Sequence, residues 1–340
     1  MTAPGAAPEE SLATTTVFVT GATGFIGQHL IRKLLASGYA VRGLAHRASP
    51  PVGVQGMAWQ QGDLLDQSAM VDATRGVDVV CQLAAQLLGR GGRAQMWRTN
   101  VEGTECLARA CVENGVRRFV HLSSVSAYAV PLPAVVTEAH PIGGYDSYGH
   151  SKAAAEDVLG RVAAGALHYT ILRPCQVFGA GDTSAYTERL RKLCQGHFVL
   201  TAGARPRPFS IVAVEDVANA VVATIGAQSP SGRAYNVASP AQVSLQSLLR
   251  AAQSPERAPP ATVPIPRMLM RAAFEWRWVL KQLQANGLRP RYKSYGTSRL
   301  HGSLFLGGPR YAVDRAEEEL AFRAKASPEE VLRSLDQGAP

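Results

Sequence analysis

The chain has no run of apolar residues approaching the roughly 18 that a membrane-spanning helix requires, so no membrane span is expected. Its first 15 residues, MTAPGAAPEESLATT, lack the basic start and apolar core of a secretory signal and are expected to form a disordered leader. Cysteine is sparse. The five present (Cys81, Cys106, Cys111, Cys175 and Cys194) are odd in number, form no Cys-x-x-Cys pair and have no paired histidines nearby. That argues against a disulfide framework and against a metal site, and the thiols read as small buried side chains in a reducing, cytoplasmic compartment. Lys and Arg outnumber Asp and Glu by 35 to 26, for a net charge of +9, yet no basic tract stands out as a stripe. A solvated basic surface is expected, and no nucleic-acid partner. No internal repeat of solenoid period is visible. Finally, not one Asp or Glu occurs between Ser11 and Gly62.

What is present describes a globular α/β protein. Of the 340 residues 46% are hydrophobic and 18% charged, enough for one large domain or a large domain with a smaller one. Short apolar runs predict strands at Thr16–Thr20, Tyr39–Ala45, Asp78–Leu83, Arg118–Leu122 and Tyr169–Leu172. Helical patterns fall between them, near Phe25–Ala36, Gln67–Thr74, Val101–Asn114 and Tyr148–Val162. This alternation implies βαβ units, a doubly wound parallel sheet of Rossmann type and right-handed crossovers. After Phe178 the pattern changes, and residues 179–340 are expected to form a smaller substrate-binding lobe, partly interleaved with the dinucleotide-binding core of residues 16–178.

The stretch TGATGFIG, Thr20 to Gly27, joins the first strand to the first helix and sets Gly21, Gly24 and Gly27 three residues apart. A strand, a tight glycine turn and a helix N-terminus present free N–H groups and a positive dipole end, which suit a pyrophosphate. Gly21, Thr23, Gly24, Phe25, Ile26 and Gly27 are therefore candidate cofactor contacts. NAD-binding folds usually place an acid about 20 residues further on, for the ribose 2′-hydroxyl. Here that place reads VRGLAHR, with Arg42, His46 and Arg47. A 2′-phosphate would meet cations there, Arg47 foremost, so NADP(H) is favoured over NAD(H). Asp63, followed by Leu64, falls where a third strand would end beside the adenine; its ordinary alternative is to cap the helix starting near Asp66.

YDSYGHSK places Tyr148 and Lys152 four residues apart at a helix start, hence on one face. A cation one turn away favours the phenolate and draws the tyrosine pKa toward the working range. Upstream, RFVHLSSVSAY ends a strand in Ser123 and Ser124, at the carboxyl edge where such sheets hold their ligands.

With these elements in place the chain resembles the extended short-chain dehydrogenase/reductases, over about Thr16 to Leu332. TGATGFIG resembles that family's cofactor loop, and CQLAA (Cys81–Ala85, with Leu83, Ala84 and Ala85) its fourth-strand motif along the cofactor. TNVEGT contains Asn100, matching the asparagine that helps hold the active-site lysine through a water. Ser124, Tyr148 and Lys152 match the catalytic triad, and LRPCQVFG, with Pro174 and Val177, the segment passing the nicotinamide. Ala129 replaces a glycine often found after Tyr128, a change expected to affect only a turn. FSIVAVEDVANAV and YNVAS match later markers of the extended type.

The resemblance leaves three functions open. The C-terminal half is most similar to the 3β-hydroxysteroid dehydrogenase-like branch, which implies hydride exchange with a hydrophobic ketone or secondary alcohol. Met268, Met270, Phe274, Trp276 and Trp278 would suit an apolar wall, or else form the lobe's own core or a surface-lying helix. Arg207 keeps a nucleotide-sugar epimerase in view, whereas SSVSAY offers no carboxylate for a dehydratase. A non-catalytic dinucleotide-binding protein is the third reading. The family often dimerises through two helices, here Val101–Asn114 and Tyr148–Val162; the oligomeric state stays open.

Overall fold

A computed structural model describes residues 15–46, 56–87, 92–204, 207–251, 260–273 and 305–327, with residues 276 and 330. Residues 1–14 of the expected leader, Arg47, Phe274 and Trp278 lie outside the described residues.

The first strand, β1 (Thr16–Thr20), is apolar on both faces, because both are covered. Val17 and Val19 pack with Leu30, Ile31 and Leu34 of α1 (Phe25–Ala36), while Phe18 points into a separate cluster with Leu107, Phe119 and Leu159. A strand buried on both sides is the mark of a parallel sheet. Around it run β2 (Ala40–Ala45), β3 (Met57–Gln61), β4 (Val79–Gln82) and β5 (Arg118–Leu122). After the short β6 (Val135–Val136) comes β7 (His168–Pro174).

The lobe's strands are β8 (Gln176–Phe178), β9 (Phe198–Ala202), β10 (Phe209–Ala213), β12 (Gln242–Val243), β13 (Ala261–Ile265) and β14 (Arg310–Tyr311); β11 (Arg233–Val237) returns to the main sheet. That sheet has seven strands in the order β11-β7-β5-β4-β1-β2-β3, every pair parallel. The order reverses between β1 and β4, the crevice where such folds bind ligands.

Helices α2 (Gln67–Thr74), α4 (Gly103–Glu113) and α5 (Ser147–Ala163) cover one face; α3 (Gly92–Trp97) and a π-helical turn (Arg98–Glu102) lead into α4. The other face carries α1 and α7 (Val214–Gly226), whose Val217, Ala220 and Val221 share a core with Val17 and Val19. Thus α7 and β11, both beyond Phe178, complete the main sheet. The lobe has its own core, with Phe178, Leu190 of α6 (Ala185–Gln195), Phe209, Leu248 of α8 (Leu245–Ala251), Met270 and Phe305. No described helix is long and apolar enough to cross a membrane, and no described group of His, Cys, Asp or Glu could hold a metal ion. The five cysteines are unpaired thiols, four buried and Cys106 half-buried.

Candidate active site

The glycine turn stands at the β1–β4 crevice. Gly21 has φ +70°, and a Cβ there would come within 2.7 Å of the Ala84 amide nitrogen at the end of β4. Gly27 is tighter still, since its Cβ would meet the Gly21 carbonyl at 2.1 Å. Gly24 is the N-cap of α1, with no side-chain cap and no acid in the first turn. The N-terminal dipole of α1 is thus unneutralised and its first turn lies against bare backbone. These residues fit the pyrophosphate of a dinucleotide. Thr23 and Gly24 are exposed and Phe25 and Ile26 half-buried, so the rim of the turn is open.

At the end of β2, His46 is exposed and no described carboxylate stands beside it on that strand. Arg42, one of the cations expected near the ribose, is turned elsewhere: its Nη1 donates to the carbonyls of Ala73 (2.8 Å) and Arg75 (3.1 Å), closing the C-terminus of α2. Asp63 is exposed and accepts from the Leu65 amide at 3.0 Å, while the cap of α2 is Asp66, which accepts from Ala69. Leu64 belongs to the core; its side chain fills the space that a Cβ on Gly103 would need. Leu83 and Ala84 are half-buried and Ala85 exposed after β4, and Pro174 and Val177 line the passage from β7 to β8.

The triad candidates come from two elements at the sheet's carboxyl edge. Ser124 caps a single turn of 3-10 helix (Val125–Ala127), its Oγ accepting from the Ser126 amide at 3.1 Å, and its own proton remains to donate. Its neighbour Ser123 is committed: it donates to the Glu156 carboxylate. Tyr148 and Lys152 lie in the first turns of α5, which Asp146 caps through the Gly149 amide. The Tyr148 hydroxyl has no hydrogen-bond partner among the described residues. Burial raises its pKa, and the Asp146 charge raises it further. The lowering expected from Lys152 is therefore not found. The Lys152 ammonium is buried and donates to the Leu122 carbonyl at 2.6 Å, and desolvation, opposed by Glu156, brings its pKa down to about 8.

Asn100 sits in the π-helical turn. Its Nδ2 donates to Ser151 Oγ (2.9 Å) and to the Gln86 carbonyl (3.0 Å), while its Oδ1 accepts from the Gln86 amide (2.7 Å). Ser151 in turn donates to the Tyr148 carbonyl at 2.7 Å. Asn100 thus holds the α5 turn between Tyr148 and Lys152 and makes no direct bond to the lysine.

Beneath the triad lies a buried polar network that reading the sequence missed. Arg173 grips Glu156 with two bonds, Nη2–Oε2 at 2.6 Å and Nε–Oε1 at 3.0 Å, and donates to Tyr128 Oη, which donates to Asn236. His121, on β5, donates from Nδ1 to Gln82 Oε1, and its Nε2 is buried without a partner. Desolvation, then the Lys152 and Arg173 charges, push the imidazole pKa well below the usual histidine range, so it stays neutral. Glu156, one turn after Lys152, was a signal available in the sequence; its pairing with β7 was not.

Three of the candidates for an apolar substrate wall are described. Met268 and Trp276 are exposed, and Met270 is buried in the lobe's core. Arg207 is exposed, with Gly307 packed against its Cβ.

Residues 17–238 match the profile of the NAD dependent epimerase/dehydratase family. Over 337 residues, 95% of this chain and 96% of the relative, the sequence is 26% identical to a 4-hydroxy-2-methyl-3-oxo-4-farnesyl-3,4-dihydroquinoline-1-oxide ketoreductase of Stigmatella aurantiaca. It is 25% identical to a 2-alkyl-3-oxoalkanoate reductase of Shewanella oneidensis, covering 94% of this chain and 84% of that one. Among solved structures, MoeE5 in complex with UDP-glucuronic acid and NAD superposes with a TM-score of 0.71 at 26% identity, covering 94% of this chain and 97% of the other.

Proposed function

Since the chain belongs to the NAD dependent epimerase/dehydratase family, the extended short-chain dehydrogenase/reductases, we propose that it is a ketoreductase that uses NADP(H) on a hydrophobic ketone or, in reverse, on the corresponding secondary alcohol. One observation carries the reading. Tyr148 stands in the first turn of α5 at the sheet's carboxyl edge, with a hydroxyl that no described residue engages and Lys152 one turn further on, so its proton is free to pass to a substrate oxygen. Reduction of a carbonyl needs such an acid.

The nicotinamide, when bound, supplies the hydride. Gly21, Gly24 and Gly27 cradle the pyrophosphate, and Ala84, Ala85, Pro174 and Val177 border the rest of the dinucleotide. Ser124 donates to the substrate oxygen and stabilises the charge that develops on it, while Tyr148 delivers the proton. Lys152 contributes its positive charge beside the tyrosine and binds the nicotinamide ribose. Asn100, through Ser151, fixes the turn of α5 that presents both. The missing acid after β2 favours a 2′-phosphate. The ketoreductase and the 2-alkyl-3-oxoalkanoate reductase named above are named for ketones bearing a farnesyl and an alkyl group, which supports a lipophilic substrate.

A second reading, nucleotide-sugar epimerisation, is supported by MoeE5, whose structure holds UDP-glucuronic acid and NAD, and by the exposed Arg207. No carboxylate occurs from Ser123 to Tyr128, so dehydration is disfavoured. The test is a panel of long-chain 3-oxo and terpenoid ketones, with NADPH consumption and alcohol formation measured together. Stoichiometric alcohol, absent with Tyr148→Phe, supports the reading. Epimerisation of a UDP-sugar without net cofactor consumption would replace it.

A further inference from the structure

Five hydrogen bonds, all pointing one way, run beneath the active site from His121 to the carbonyl of Tyr148. Gln82 of β4 and His121 of β5 are register partners, both buried. They share the sheet face of Val80 and Phe119, two residues earlier, which α4 and α5 cover. The carbonyl of Ala84 can only accept, so the Gln82 group 3.4 Å from it is the amide nitrogen, Nε2, which also donates to Thr104 Oγ1 at 2.9 Å. Thr104 gives its own proton to the Asn100 carbonyl at 2.7 Å. Asn100 Nδ2 then donates to Ser151, and Ser151 to the Tyr148 carbonyl. With its nitrogen so engaged, Gln82 turns Oε1 to His121, and an amide oxygen accepts only from a protonated Nδ1.

The consequence falls on the other ring nitrogen. A neutral imidazole protonated at Nδ1 carries a bare lone pair at Nε2, and this one is buried without a hydrogen-bond partner. Buried acceptors are seldom left so. Of the charges around the ring, Lys152 on α5 bears on it first and Arg173 on β7 second. Arg173 is held by Glu156, also on α5, and by Tyr128. The Lys152 ammonium is buried and has three N–H donors. The carbonyl of Leu122, the next residue along β5 from His121, takes one of them at 2.6 Å, which leaves two.

We propose that His121 is a positioning residue for Lys152: its Nε2 accepts from the ammonium through one buried water, while the chain from its Nδ1 holds the turn that presents Tyr148. A buried water needs at least two polar partners, and the ammonium and Nε2 supply a donor and an acceptor. The bridge favours the charged lysine against the desolvation around it. The opposite tautomer, with the proton on Nε2, would aim a donor at the ammonium and leave Gln82 Oε1 unbonded. Gln82 therefore sets which form of the ring Lys152 meets. The inference rests on the reading above that Lys152 works as a cation, but its test needs no substrate.

The full-length protein, with isotope-labelled lysine and histidine, is titrated by NMR, and the Lys152 resonance is assigned by its loss in Lys152→Met. The ring of His121 should carry its proton on Nδ1 and leave Nε2 bare through neutral pH. His121→Phe should lower the pH at which Lys152 titrates by about one unit or more. His121→Gln, which keeps an acceptor at the site, should return it to within about half a unit of the parent. If His121→Phe does not fold, Gln82→Met carries the same test, since it removes the oxygen that fixes the tautomer, and Lys152 should again titrate lower. A Lys152 titration unmoved in a folded variant, or a ring proton found on Nε2 in the parent, would overturn the proposal. Because no turnover is read, these outcomes stand apart from those of the ketone panel.

Discussion

Arg173 and Glu156 form a two-armed ion pair under the active-site helix, both side chains about 5% exposed, with Nη2–Oε2 at 2.6 Å. The pair ties β7 to α5 one turn beyond Lys152, and through Ser123 it reaches the strand end that carries Ser124. Removing one member strands a buried charge, which costs about 3–5 kcal/mol, whereas replacing both with apolar groups often costs little. Glu156→Ala is therefore expected to lower urea-unfolding stability by that amount, with Glu156→Leu/Arg173→Met recovering most of it. Arg161→Ala, at the exposed Asp157 pair on the same helix, should leave stability unchanged. Equal effects at the two sites would refute a buried role for Arg173.

Tyr148→Phe deletes the proposed acid and no protein hydrogen bond. Turnover should fall by about 10²–10⁴-fold, with NADPH affinity and Tm held. Retained turnover would remove Tyr148 from the chemistry.

Lys152 gives a pH signature with two opposite limbs. Its pKa in the folded chain is about 8, against an ordinary 10.5. Between these values the unfolded chain binds a proton that the folded chain has released, so this group's contribution to stability rises with pH across the window. If the ammonium serves the reaction, turnover falls over the same range. Rate and stability measured from pH 7 to 10.5 should diverge, and Lys152→Met should abolish the stability limb along with turnover. A rate flat to pH 10 would show that the ammonium is not needed.

Gly27→Ala would set a Cβ 2.1 Å from the Gly21 carbonyl and 2.9 Å from that of Ala22. The turn must open to admit it. Dinucleotide affinity, measured by calorimetry, should drop by about tenfold or more, and Tm should fall. Gly38→Ala, at an open turn with no atom within 4 Å, should leave affinity unchanged.

The sheet's first half was legible because each strand is a short apolar run flanked by turns and followed by a helical pattern. The strands β1, β4 and β5 were expected within a residue of where they lie. By contrast, β3 is mixed in character, MAWQQ, and half-buried at the sheet edge, so only its end was inferred, from Asp63. YNVAS was recognised as a motif, but its place as β11 beside β7 is set by a pairing across some 60 residues that local periodicity does not encode.

At the site, spacing revealed Tyr148 and Lys152. It did not reveal where their polar ends go. The Lys152–Leu122 bond, the engagement of Arg42 with the end of α2, and the outward face of Met268 and Trp276 are tertiary facts.

The central claim is an open cycle, in which NADPH enters, reduces and leaves. The most direct measurement is to denature the freshly purified protein, identify any released dinucleotide by mass, and titrate the native protein with NADPH and NADH. The account predicts little retained dinucleotide and NADPH binding at least about tenfold tighter than NADH. One NAD(H) carried through purification by each chain would contradict it and point to an epimerase that recycles its cofactor in place.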